Sequence, residues 1–288
     1  MPSSTLVSFA AGALEGTGSV THVEVGDTGT VIVVDATPFH PVDHTWPDQP
    51  GDAGTISSDG ASTEITEAVM AAVSHEGEFA VGADIPVKRG AEGWTWLVGH
   101  RLTGHAPEWL VPGLSVALAV DAERRAGLSR GHTACHLASL ALDLALGDLW
   151  RKDPGTDALG NPDFEGRANQ TSRIHEDGSV DEYRLGKSLR RAGFDTETFA
   201  ATLSDRESSI NAQLAVWVES GATSRIVADG PTIVDRRTWV CELPDGTAEI
   251  LCGGTHVTSL AEFASISVAL DLSDPQLLVM TTTAVPAV

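Results

Sequence analysis

DAERRAGLSRGHTACHLASLALDLALGDLW, residues 121–150, is the stretch on which the fold turns. Its apolar residues recur at helical spacing, and the pattern stops where Gly147 and then Pro154 arrive. Upstream the chain reads as β-rich. Residues 29–37, "GTVIVVDAT", have the continuous apolar character of a buried strand and end at Pro38. "EFAVGADIPVKRG", "GWTWLVGH" and "GLSVALAVD" read as further short strands cut by glycine turns, a pattern of small barrels and sandwiches. Downstream, residues 153–180 are polar and rich in Gly, Asp and Asn. That is long for a connection and predicts a flap or a mobile insertion. A second helix is predicted over 196–220, with Asp195 as N-cap and Phe194 and Phe199 as a hydrophobic staple. Its apolar stripe is Phe199, Leu203, Ile210, Leu214 and Trp217, and Gly221 ends it. "SRIVADG", "TWVCELP", "AEILCGG" and "SISVALDL" follow as strands. Helices and strands without strict alternation give an α+β fold, with a small β-barrel over 1–118 and an α+β domain over 119–288.

Composition narrows the functional classes. The chain has 288 residues, enough to bury a core, with 42% hydrophobic and 20% charged residues, as in ordinary globular proteins. No apolar run approaches the roughly 20 residues of a membrane helix, so no membrane association is expected. "MPSSTLVSFAAGALEGTG" opens without a basic region, and no secretory signal is expected from it. Cys135, Cys241 and Cys252 are too few and too scattered for a disulfide framework, which points to a cytoplasmic location with reduced thiols. A net charge of −22 argues against a general polyanion-binding surface. The adjacent pairs Arg124-Arg125, Arg151-Lys152, Arg190-Arg191 and Arg236-Arg237 still permit a local basic groove.

Within the first helix, His132 and His136 stand four residues apart and so share one face. Taken alone, such a pair is equally a pair of ordinary helical histidines. Residues 250–257, "ILCGGTHV", add Cys252 and His256, again four apart but across two glycines that disfavour a helix. A strand running into a tight turn presents a thiolate and an imidazole to one point. Three imidazoles and one thiolate are donors that a tetrahedral zinc ion prefers. Drawing them from two distant segments couples metal binding to folding.

Rival readings fail on particular residues. An HExxH protease needs a glutamate after its first histidine, and Thr133 stands there. Cys135 lies about 100° around the helix from His136 and reads as core; Cys241 reads as a buried strand residue. "RLGKS", residues 184–188, lacks the first glycine of a phosphate-binding loop, because Asp181 occupies that position, and no strand is expected before it. No nucleotide cofactor is therefore expected. Asn169-Gln170-Thr171 is a formal glycosylation sequon, without meaning in a cytoplasmic protein.

"RRAGLSRGHTACHL" together with "CGGTHV" resembles the editing domain of alanyl-tRNA synthetases and the free-standing, AlaX-type alanyl-tRNA editing proteins, whose signature pairs HxxxH with CxxxH. "ATPFHPVDHTWPDQPGDAGTI" is similar to a barrel segment of that family, with Thr37, Phe39, Pro41, Gln49, Pro50, Asp52, Gly54 and Ile56 in place. "VDAERR", 120–125, resembles the lead into the metal helix. The three matches occur in order and span residues 30–270.

The resemblance implies a β-barrel followed by an editing domain with a mixed or antiparallel sheet and a metal-bearing helix. It implies zinc on His132, His136, Cys252 and His256. It also implies hydrolysis in trans of the ester joining a wrong amino acid, serine or glycine, to the 3′ end of tRNA for alanine. Gly253, Gly254 and Thr255 are expected to offer backbone N–H groups to the substrate carbonyl, although the glycines serve a bare turn equally well. Thr37, Gln49 and Asp52 become candidate pocket residues, and Arg124, Arg125 and Arg130 candidate tRNA contacts. Between Pro41 and Gln49 the family carries a short glycine-rich loop; here it is "VDHTWPD", longer by about three residues and holding His44 and Trp46. The resemblance implies that this loop borders the amino-acid pocket. A deacylase for threonyl-type or non-proteinogenic residues such as fluorothreonine is therefore an alternative substrate reading. A metal-stabilised tRNA-binding module without turnover, and a zinc hydrolase of a small ester or amide, are alternative classes.

Overall fold

The computed structural model describes residues 3–26 and 29–287. Two compact units make up the chain: Met1–Arg125 with Val227–Arg237 and Gly253–Thr255, and Ala126–Ile226 with Thr238–Cys252 and His256–Val288.

The first unit is built from strands β1 (Leu6–Val7), β2 (Glu15–Gly26), β3 (Gly29–Val34), β4 (Ala36–Thr37), β5 (Gly54–Ser58), β6 (Ala61–Ile65), β7 (Glu67–Ser74), β8 (Phe79–Val81), β9 (Trp94–Leu102) and β10 (Ser115–Val120). Eight of them form one sheet in the order β6-β5-β10-β2-β3-β9-β7-β8, antiparallel throughout, while β1 and β4 make a parallel pair. The burial of each strand follows its sequence. In β10 Val116, Leu118 and Val120 point inward and alternate with more exposed residues, the period of a strand with one wet face. The apolar run Thr30 to Val34 of β3 is buried on both faces, which is why it shows no alternation. Ile32, Val34, Phe39, Ile56, Met70 and Trp96 lie at the centre of the core. Gly51 is obligatory: a Cβ there would sit 1.8 Å from the Ala68 carbonyl oxygen.

The second unit carries α1 (Ala122–Leu146), whose first turn lies in the first unit's segment, then α2 (Glu165–Ala168), β11 (Asn169–His175), β12 (Gly178–Arg184), α3 (Lys187–Ala192), α4 (Thr196–Ala201), α5 (Leu203–Ser220), β13 (Ser224–Ala228) and β14 (Arg237–Leu243), of which Val227, Ala228 and Arg237 count with the first unit, β15 (Gly246–Leu251), β16 (Phe263–Asp274) and β17 (Leu277–Pro286). One sheet runs β11-β12-β17-β16, another β13-β14-β15. Ala134, Leu137, Leu140, Ala141 and Leu142 of α1 are all buried in the unit's core, together with the polar His132, Thr133, Ser139 and Asp143 of the same helix. The outcome is an α+β protein with antiparallel sheets, as its sequence predicts.

Several elements depart from expectation. Residues 153–180 are no bare flap: the second half forms α2, β11 and the β12 hairpin. Its strands escape a search for apolar alternation because several buried positions are polar: Ser172, Ser179 and Asp181 lie inside beside Ile174 and Tyr183, with Ser179 Oγ donating to Asp181 at 2.7 Å. Strand β12 runs directly into "RLGKS", so a strand does precede that segment, and Asp181 is one of its buried residues. The helix predicted over 196–220 breaks at Thr202, which leaves helical geometry at φ −116° and ψ 15° and separates α4 from α5. Its start follows the sequence: the Asp195 carboxylate accepts the Thr198 N–H at 3.1 Å.

Helix α5 also finishes the sheet edge at β16. Asn211 donates its amide to the Val268 carbonyl at 3.0 Å and accepts the Val268 N–H at 2.8 Å, taking the place of a further strand. Glu207 accepts the Leu270 N–H at 2.7 Å. Side chains thereby close an edge that would otherwise expose unpaired backbone groups.

Candidate metal centre

His132 and His136 both lie on α1, in the second unit. The glycines before them set the height of the helix. A Cβ at Gly131 would stand 2.2 Å from the His175 carbonyl oxygen, and one at Gly127 2.9 Å from the Glu176 Cβ. Two glycines one turn apart therefore let α1 lie against the β11–β12 hairpin, where Arg130 ion-pairs with Asp177 at 2.5 Å. Cys252 follows the last residue of β15, whose register against β14 pairs Leu251 with Thr238.

The four side chains converge. Cys252 Sγ lies 3.4 Å from His132 Nε2 and 3.3 Å from His256 Nε2. One donor atom from each of His132, His136, Cys252 and His256 falls within 4.8 Å of every other, so the cluster can hold a metal ion. The imidazole centroids are 4.5–5.1 Å apart, and the buried Trp239 ring stacks at 5.2 Å on His136. Burial pushes the His136 imidazole down to about 4, so at neutral pH it is uncharged and keeps a lone pair. Its Nε2 is buried with no hydrogen-bond partner, a costly state that a metal would relieve. Tetrahedral zinc, with bonds of about 2.3 Å to sulfur and about 2.0 Å to nitrogen, separates sulfur from nitrogen by roughly 3.5 Å. The donor set and both sulfur–nitrogen distances fit it.

The remaining candidates fall into separate pairs. Gln49 and Thr255, both buried, clamp each other: Gln49 Nε2 donates to Thr255 Oγ1 at 2.9 Å, and the Thr255 N–H donates to Gln49 Oε1 at 3.0 Å. Asp52 is buried under Arg125, which binds both its carboxylate oxygens and donates to the Pro38 carbonyl at 2.8 Å. Arg124 reaches toward the Gly51 carbonyl at 3.5 Å. Neither Gly253 nor Gly254 has left-handed backbone, and a Cβ at Gly253 would meet nothing nearer than the Arg89 guanidinium at 3.7 Å. Thr37 Oγ1 lies 2.9 Å from Nε2 of His100, whose Nδ1 is 3.1 Å from the Ile32 carbonyl. A carbonyl only accepts, so Nδ1 bears the proton and the Thr37 hydroxyl donates to Nε2. Burial pushes His100 down to about 4, keeping it neutral.

In the loop "VDHTWPD", Asp43 accepts the N–H groups of Thr45 and Trp46 and ion-pairs with Arg89 at 3.2 Å. His44 Nε2 donates to the Val87 carbonyl at 3.0 Å, and Trp46 is 48% exposed. Sequence reasoning overlooked His100, Trp239 and the role of Thr133. His100 and Trp239 are single residues in strands and offer no spacing signal, whereas Thr133, between two ligand histidines, was legible as a neighbour of the centre.

An α+β unit holding a three-histidine, one-cysteine cluster defines a candidate metalloprotein. No family model matches the chain. It is similar to alanine-tRNA ligases of Frankia casuarinae (27% identity over 247 residues, 86% of this chain) and Kineococcus radiotolerans (28% over 248 residues, 85%). That of a Parafrankia species matches at 27% over 242 residues. The chain spans under a quarter of each relative, 22–23% of its length. These matches fit a distant relative of the alanyl-tRNA editing domain.

Proposed function

We propose that this chain is an aminoacyl-tRNA deacylase acting in trans on mischarged tRNA. The observation that carries the reading is the convergence of His132, His136, Cys252 and His256 from two segments, in a chain similar to alanine-tRNA ligases over most of its length. The reaction adds water across the ester: its oxygen attacks the carbonyl carbon, the bond to the ribose oxygen breaks, and that oxygen takes a proton. Free amino acid and an intact tRNA 3′ end result. The four side chains would hold zinc; four protein ligands fill a tetrahedral shell, so the ion would hold the ligand segments together and position the substrate, and would supply Lewis acidity if the site expanded or one ligand gave way.

The chain's own groups supply orientation. Because the Thr255 N–H is committed to Gln49, the backbone donors we propose for the substrate carbonyl are those of Gly253 and Gly254. Gln49 holds the segment between the two later ligands. Arg124, Arg125 and Arg130 remain the proposed contacts to the tRNA backbone on the strength of the resemblance, each already holding partners within the chain, Arg125 on Asp52 and Arg130 on Asp177. We read the sheet of the first unit, in which β2 pairs with β10 through its first half and β3 through its second, as the small barrel the resemblance implies.

One observation favours a substrate other than serine or glycine. His44 and the exposed Trp46 fill a loop where the resembling proteins carry glycines, which reshapes whatever that loop lines.

Incubation with seryl-, glycyl- and threonyl-tRNA tests both readings. We expect release of one amino acid by the native protein, and loss of both deacylation and bound zinc in His132→Ala and Cys252→Ala. Binding without turnover would favour the tRNA-binding module, and no interaction with any tRNA would sink both.

A further inference from the structure

We infer that Thr133, immediately after the first ligand histidine, is a positioning residue that fixes which nitrogen of His256 faces the centre. The inference rests on the metal reading above. His256 presents Nε2 to Cys252 at 3.3 Å, while its other ring nitrogen, Nδ1, lies 3.1 Å from Thr133 Oγ1. A neutral imidazole has one N–H and one lone pair. Ligation through Nε2 needs the lone pair there, so the proton sits on Nδ1 and is donated to the threonine oxygen. That oxygen also accepts the Val257 N–H at 3.2 Å. Two donors from consecutive residues thus fill both lone pairs of one hydroxyl, and the hydroxyl proton points away from the ring. The opposite tautomer, with Nε2 protonated, could donate to the Cys252 sulfur but would have no lone pair there for a metal, and it would require the Thr133 hydroxyl to turn and donate to Nδ1.

Thr133 is fully buried, and a β-branched side chain in a helix has few χ1 choices, so its oxygen is held in place. All three residues belong to the second unit. Metal-bound histidines commonly donate their second N–H to an acceptor that sets ring orientation, and losing that acceptor weakens metal affinity. Here the acceptor is a neutral hydroxyl on the helix that supplies two of the other ligands. It also ties the backbone after His256 to that helix.

The test compares Thr133→Val, which keeps the shape and removes the oxygen, with Thr133→Ser, which keeps the oxygen. Zinc affinity is measured by competition against a chromophoric chelator, the visible spectrum is recorded on cobalt-loaded protein, and melting is followed without metal. Valine is expected to weaken zinc binding about 10- to 100-fold and alter the cobalt spectrum, with serine restoring wild-type values for both. Equal affinity and spectrum in wild type and valine variant would overturn the assignment; so would a loss in serine as large as in valine. Should valine prevent folding, Thr133→Ala carries the same comparison. Wild-type protein that binds no zinc sinks the metal reading itself, whereas zinc bound equally by wild type and valine variant sinks only the role of Thr133.

Discussion

Asp143 shows how much one buried carboxyl can govern. Its Oδ1 accepts the N–H groups of Phe164 and Glu165, each at 2.9 Å, and so holds the start of α2 against α1. Burial, opposed by the Glu165 hydrogen bond, pushes the Asp143 carboxyl from 3.8 up to about 8. The folded chain therefore keeps this proton at pH values where the unfolded chain has released it. Stability contributed by the group is full below about pH 4 and declines as pH rises toward 8, by at most about 1.4 kcal/mol per pH unit. Asp143→Asn retains an acceptor oxygen without the charge. We expect it to melt higher than wild type at pH 8, to differ little at pH 4, and to flatten the dependence of melting temperature on pH between them. Unchanged slopes would place the proton elsewhere. The same scale shows what sequence can reveal. The four members of the candidate metal cluster were legible because HxxxH and CxxxH are spacing signals, and the donor types point to metal chemistry. Thr37 and Gln49 stood out by resemblance, but their partners lie 63 and 206 residues away: nothing local announces His100, and Thr255, though singled out in its own stretch, carries no sign that Gln49 is what it binds.

At the scale of elements, α1 was legible in full, since its apolar run, its Asp121 start and its Gly147 stop all agree. Strands β11 and β12 were not, because Ser172, Ser179 and Asp181 share their buried positions with Ile174 and Tyr183, and polar residues held by hydrogen bonds blur the apolar alternation that marks a strand. The contact between these elements makes Gly131 a test. Alanine in a helix is ordinarily better than glycine by about 1 kcal/mol. At Gly131 the added Cβ meets a backbone carbonyl 2.2 Å away, with the Gly178 oxygen at 2.7 Å, and neither can rotate aside. Overpacking of this kind costs about 1–3 kcal/mol and more where backbone must move, so the clash outweighs the propensity. Gly131→Ala should lower the midpoint of denaturant unfolding; a midpoint equal to or above wild type would show that the hairpin yields.

For the molecule as a whole, the proposed metal site couples binding to folding. Zinc held by the four side chains of the second unit would stabilise the folded chain by mass action, about 2.7 kcal/mol when free metal is a hundred times the dissociation constant. Chelator should therefore lower the melting temperature of native protein and leave that of His132→Ala nearly where it was, as calorimetry with and without added zinc would show. Indifference of the native protein to chelator would break the link. The spacing of the ligands has a further consequence during synthesis. His132 and Cys252 are 120 residues apart, so at about 5–20 residues per second the ribosome delivers the thiolate roughly 6–24 s after the helix histidines. For that interval the nascent chain exposes half a binding site, able to sample whatever metal is nearby and unable to retain it until the last ligands emerge.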